Sequence, residues 1–210
     1  MQLLVVGATG GTGRQAVEQA LQRGYFVTAF VRDPTKLPIK HTNLTVQTGD
    51  VLKPNTLLHA VRRQDAVFCA LGSRPGQHDE AVADGTRNLI TAMRQVGVRR
   101  LLIVSSLGVG TSYEEASLPS KLFIKTFLSG VIAEKEKQEK TVRQSNLDWV
   151  IARPTRLTNG PATGHYQLGE HLPFPLFSVP KISRADVAAF LLDQLDKDHY
   201  LGKAVTITGK

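Results

Sequence analysis

Gly7, Gly10 and Gly13 stand in the run GATGGTG, directly after the apolar stretch Leu3-Leu4-Val5-Val6 and directly before a helical pattern. Glycines spaced this way at a strand-to-helix turn do a recognised job. The first permits a tight turn, the second lets the backbone approach a pyrophosphate, and the third lets the helix lie close on the sheet. The helix N-terminus behind them then offers free N–H groups and the positive end of its dipole to phosphate oxygens. The plain alternative is a glycine-rich turn that holds no ligand; a Walker-type loop is excluded, because no Gly-Lys-Ser/Thr follows. At the end of the next β-branched run, where a carboxylate would accept from a ribose 2′-OH, the chain places Arg32. A planar guanidinium suits the oxygens of a 2′-phosphate, and Lys36 and Arg14 are near enough in sequence to assist. Asp33 either serves a ribose or starts the turn Asp33-Pro34, and turn chemistry favours the second. The expected cofactor is therefore NADP(H).

These residues need a frame that brings several strand ends to one edge. Short β-branched runs alternate with helical patterns, which predicts a doubly wound, Rossmann-type parallel sheet with helices on both faces, in a single α/β domain over residues 1–210. Strands are expected at Leu3–Val6, Phe26–Val31, Leu44–Thr48, Ala66–Ala70, Arg100–Ser105, Trp149–Ala152 and Ala204–Ile207. Helices are expected at Gly11–Arg23, Asn55–Arg62, Glu80–Val96, somewhere within Ser117–Ser145, and at Arg184–Leu195. The tips Thr48-Gly49-Asp50-Val51 and Ala70-Leu71-Gly72-Ser73-Arg74 would line the same crevice, with Asp50 placed to accept from an adenine amino group and Gly72 passing close to a ribose. Residues 154–180 gather proline and glycine, with a turn at Asn159-Gly160-Pro161. They are expected to form the substrate-facing loop at the carboxyl end of a strand.

Composition limits the partners. The net charge of +8 over 210 residues suggests an anionic partner. Runs such as Glu134-Lys135-Glu136-Lys137 read more simply as a solvated helix face, and no nucleic-acid module is visible, so no nucleic-acid partner is expected. The single cysteine, Cys69, allows no internal disulfide and no thiolate cluster, so no metal site is expected and a reducing cytoplasm is the natural setting. No run approaches the ~20 apolar residues of a membrane span, which predicts a soluble chain with no membrane partner. The sequence carries no signature of a particular oligomeric state.

Eight segments, GATGGTG, GYFVTAFVRDPTKLP, GDVLKP, QDAVFCALGSR, DGTRNLITAMRQVGV, SSLGV, VRQSNLDWVIARPT and ISRADVAAFLL, together span nearly the whole chain. They resemble the atypical short-chain dehydrogenases/reductases, and within these the branch of biliverdin reductase B and the NADPH flavin reductases. The resemblance implies cofactor contacts at Gly7, Thr9, Gly10, Gly11, Thr12, Gly13, Arg32, Lys36, Asp50, Val51, Leu71, Gly72, Ser73, Arg74, Ser105, Pro154 and Thr155. It places Ser106 beside the nicotinamide. It puts Lys135 and Arg156 where that branch has histidines, keeping positive charge but losing a group that titrates near neutrality. Ser106, Lys135 and Arg156 are thus the expected catalytic residues.

The chain also departs from the wider pattern of a tyrosine followed by Lys135 and Glu139, because Val131 stands in the tyrosine's place. Without a phenol, alcohol–ketone chemistry loses its general acid. A conjugated acceptor escapes that need, so the resemblance implies an NADPH-dependent reductase of flavins and of bilins, with a small molecule as partner. A non-catalytic NADP(H)-binding redox sensor of the same fold is the alternative. The stretch Pro119–Lys135 is longer than its counterpart, and reads equally as an apolar lid over the acceptor or as a longer core helix.

Overall fold

The computed structural model describes residues 1–72 and 81–210. Ser73, Arg74 and the expected helix start at Glu80 lie outside the described residues. Strands β1 (Gln2–Val6), β2 (Phe26–Val31), β3 (Leu44–Thr48), β4 (Ala66–Cys69), β5 (Arg100–Val104) and β6 (Asp148–Pro154) are parallel, in the spatial order β3-β2-β1-β4-β5-β6. That is the doubly wound Rossmann order. On the side of β6, β10 (Lys203–Gly209) adds in parallel, and β8 (Tyr166–Gly169) closes the edge antiparallel to β10. A separate ribbon pairs β7 (Arg156–Thr158) with β9 (Lys181–Ser183).

The helices are α1 (Gly11–Gln22), α2 (Pro54–Val61), α3 (Ala83–Val96), α4 (Ser112–Glu115), α5 (Leu118–Phe123), α6 (Ser129–Arg143) and α7 (Arg184–Asp193), with a π-helical turn, Ile124–Leu128, joining α5 to α6. The central strands are apolar on both faces, as a parallel sheet covered on both sides requires. Leu3 and Val5 pack with Phe68, Leu102 and Val104 under α1 and α7, while Leu4 and Val6 pack with Val67, Leu101 and Ile103 under α2, α3 and α6. Each fully buried leucine in these layers stabilises by about 1.5–3 kcal/mol relative to exposure. One-residue alternation thus assigns each strand side chain to a layer, and the parallel direction of β1 to β6 brings their carboxyl ends to one edge.

Residues 154–180 differ from the expected loop. They contain β7 and β8, and β9 follows at Lys181. The strands are short and lie at edges, so their apolar alternation is brief. β8 is secured by Tyr166, whose ring meets Phe190 edge-on at 6.2 Å. The expected helix within Ser117–Ser145 is broken into α5, the π turn and α6.

Candidate active site

The sheet reverses its winding between β1 and β4, and a crevice opens above their carboxyl ends. Gly7 turns there with φ +81°, and a Cβ on it would lie 2.6 Å from the Ala70 carbonyl oxygen. The Gly10 N–H donates to the Gly7 carbonyl at 3.0 Å, and a Cβ on Gly13 would collide with that same carbonyl. The cradle is therefore bare backbone that only glycine permits. Above it lies a groove of about 280 Å³, lined by the expected Gly7, Thr9, Gly10, Arg32, Lys36, Val51, Leu71 and Gly72. Val6, Phe30, Val31, Gly49, Ala70, Ala81 and Val82 also line it. Thr12 and Gly13 sit behind the groove in the first turn of α1, and Gly11 faces a neighbouring recess with Arg14, Gln15, Asn159 and Arg184.

Exposed Arg32 and Lys36 line the groove, and Arg14 reaches the backbone of Lys36. Arg14 donates one guanidinium N–H to the Lys36 carbonyl at 2.9 Å, while its Nε is buried without a partner among the described residues. Asp33 does start a turn: its Oδ1 accepts from the Thr35 hydroxyl at 2.6 Å and the Thr35 N–H at 3.0 Å. Those bonds, with Lys36 at 3.4 Å, hold the carboxyl below its usual range. Asp50 follows β3 between the groove-lining Gly49 and Val51, and its Oδ1 accepts from the Leu52 N–H at 3.0 Å, fixing the turn there.

A second cleft, of about 510 Å³, opens at the carboxyl ends of β5 and β6. Ser105, Ser106, Pro154, Thr155 and Arg156 form its floor and one wall, and Pro119, Phe123, Ile124 and Leu128 form an apolar wall opposite Val179, Pro180 and Arg184. The Ser106 hydroxyl donates to the Leu107 carbonyl at 3.0 Å. Ser105 is turned to the interior, donating to Glu139 Oε1 at 2.7 Å, and Thr155 is joined to Thr208 at 3.1 Å.

Lys135 does not stand with Ser106 and Arg156, and its expected place at the reacting atoms is corrected. It lines neither cleft. Its buried ammonium donates to the Leu71 carbonyl at 2.6 Å, the Val104 carbonyl at 2.7 Å and Gln138 Oε1 at 2.9 Å. All three protons are committed, which ties the tip of β4 to the tip of β5 and sets the Leu71 wall of the groove. Burial pulls its pKa down to about 8, against the opposing influence of Cys69 and Glu139. Glu139 is locked as well. Burial works against its charge, but Arg153, bidentate at 2.9 and 2.7 Å, with Ser105 and Arg143 holds the carboxyl below its usual range. Val131 is half-buried and lines neither cleft.

The sequence profile of the NAD(P)H-binding family matches residues 7–198. The chain belongs to that family. An uncharacterised chloroplastic protein of Arabidopsis thaliana is 33% identical over 100% of this chain and 77% of its own length. Two solved structures share the fold. The anaerobilin reductase ChuY of Escherichia coli O157:H7 has a TM-score of 0.83 at 24% identity, covering 99% of this chain and 96% of its own. A wide-type short-chain dehydrogenase/reductase of Veillonella parvula, solved with NADP, has a TM-score of 0.84 at 22% identity, covering 100% and 94%.

NAD(P)H is thus the cofactor, and the glycine cradle fits it, since Gly7 and Gly10 put no side chain over the groove they line. The family's groove accounts for the first cleft. Sequence reasoning missed Arg184, whose stem packs where a Cβ on Gly11 would stand and whose guanidinium donates to Asn159 Oδ1 at 2.7 Å. It borders both the second cleft and the recess at the start of α1. The only signal for it was a basic residue right after the Ser183 helix cap. Among the described residues no cluster of acidic, histidine or cysteine side chains could hold a metal, and no helix is long and apolar enough to cross a membrane.

Proposed function

We propose that the protein is an NADPH-dependent reductase whose acceptor is a flavin or, in a second use of the same cleft, a bilin. One observation carries this reading: the second cleft is apolar and cationic, and its described lining holds no phenol, imidazole or carboxyl group. Reduction of an isolated carbonyl needs a positioned acid. A conjugated ring system spreads the arriving charge, and Arg156 and Arg184 stabilise it electrostatically without giving up a proton. Bound NADPH supplies the hydride. Gly7, Gly10 and Gly13 cradle its pyrophosphate, Arg32 with Arg14 and Lys36 meets the 2′-phosphate, Lys135 holds the Leu71 wall, and Ser106 orients the groups at the junction. That a bilin reductase, ChuY, is built on the same fold is consistent with the acceptor class.

The alternative is a sensor that binds NADP(H) without turnover. It is favoured by the locking of Lys135 and Glu139 in buried networks. The deciding experiment follows NADPH consumption with excess FMN, then with biliverdin. Sustained consumption with either acceptor is expected. Tight NADPH binding by calorimetry with no consumption in both assays would replace the reductase with the sensor.

A further inference from the structure

The described chain exposes twelve large apolar side chains, and seven of them gather on two adjoining segments. Leu118, Leu122, Phe123 and Phe127 lie on α5 and the π turn, and Leu176, Phe177 and Val179 lie on the loop before β9, with exposures from 48% to 76%. The segments are fastened together. The Leu118 N–H donates to the Leu176 carbonyl at 2.8 Å, and the Ser117 hydroxyl to the Ser178 carbonyl at 2.7 Å. The Phe123 and Phe127 rings meet at 5.4 Å. Together they form a fixed apolar lip at the mouth of the second cleft, which Pro119, Phe123 and Val179 also line.

Charge selects what covers this lip. Residues 116–133 and 171–183 contain no aspartate or glutamate, while Lys121, Lys125 and Lys181 stand among the apolar groups. Of the acids that flank these runs, Glu114 is paired with Lys121 at 3.6 Å, Glu115 is buried against His171 and Glu170 is paired with Lys203 at 2.9 Å, while Glu136 shares a recess with Lys125 on the α6 side. A second copy meeting this one about a two-fold axis would set the same patch against itself, bringing like charges together with no acid on either segment to answer them. An anionic bilayer answers both features, taking phenylalanine and leucine at the acyl boundary and lysine among the headgroups.

We propose that the lip docks the protein on the surface of an anionic membrane, with the mouth of the second cleft turned toward the bilayer. This departs from the expectation of no membrane partner, which rested on the lack of a spanning segment; surface docking needs none. It also stands independently of the reductase reading.

The test is co-sedimentation with phosphatidylglycerol vesicles and with phosphatidylcholine vesicles at low salt. The wild type should pellet with the first and bind the second at least tenfold more weakly. The variant Leu122→Ser/Phe127→Ser/Phe177→Ser, whose three sites lie outside both clefts, should lose binding more than tenfold. Lys121→Glu/Lys125→Glu should lose roughly fivefold or more per lysine. NADPH titration of each variant should match the wild type and so show that the fold is intact. Failure of the wild type to pellet with phosphatidylglycerol, or full retention by the apolar triple variant, would overturn the proposal. A dimer in analytical ultracentrifugation that the triple variant abolishes would overturn it in favour of a second copy of the chain.

Discussion

The dinucleotide groove and the second cleft share one edge of the sheet, yet they are made differently. The groove is a backbone structure: its shape follows from Gly7, Gly10 and Gly13 and from the reversal of strand order between β1 and β4. The cleft is a side-chain structure, assembled from α5, the π turn and the chain around β7 and β9. Backbone cradles tolerate almost no change at the glycines. Apolar walls tolerate exchange of one bulky group for another, so one scaffold can keep its cofactor while its acceptor varies.

The largest expected effect comes from adding a single carbon to the groove. Gly7→Ala forces a Cβ to within 2.6 Å of the Ala70 carbonyl and strains a φ of +81°. Calorimetry should find NADPH affinity lower by about a hundredfold or more, with a lower melting temperature. A variant that binds as the wild type does would show that the groove is not set by its backbone.

Next is the lysine behind the Leu71 wall of the groove. Lys135→Met leaves the Leu71 and Val104 carbonyls without their donor, which should destabilise the fold by about 3 kcal/mol in urea melts. The pH dependence has a definite sign. The folded pKa is about 8 and the ordinary value 10.5, so between these values the unfolded chain binds more protons and this group's contribution to wild-type stability rises with pH. The difference in stability between wild type and variant should therefore grow between pH 8 and 10.5. A difference that shrinks over that range would show the ammonium to be favoured by folding.

Arg32→Ala sharpens the comparison from the groove's polar end. The preference for NADPH over NADH should fall roughly ten- to a hundredfold, the scale of charge-assisted hydrogen bonds. Equal affinities in the wild type would remove the arginine from this role. Smaller still, Ser106→Ala should lower kcat by a factor of about three to ten with the KM for NADPH unchanged, as loss of an aligning hydroxyl implies. A matching rise in that KM would move Ser106 from the cleft to the groove.

The two sites were unequally legible in the sequence. Glycine spacing and β-α alternation are local signals, so the parallel order, the cradle and Arg32 could be read directly. The structure departs where a side chain's partners lie far along the chain. Lys135 reads as a reacting group until its ammonium is found on Leu71 and Val104, 64 and 31 residues away. Arg184 escapes notice because Gly11, against which its stem packs, comes from the opposite end of the chain. The short edge strands β7 to β9 carry too few residues for an alternation to show.

The central claim is that hydride reaches a conjugated acceptor without a protein proton donor. Single-turnover stopped-flow of the NADPH-loaded protein with FMN tests it most directly, in the wild type and in Val131→Tyr. The account predicts a rate nearly flat from about pH 6 to 7.5, since the described lining of the cleft holds no imidazole, phenol or carboxyl group, and no large gain from the added phenol. A bell-shaped profile centred near neutrality, or a strong acceleration in Val131→Tyr, would contradict it.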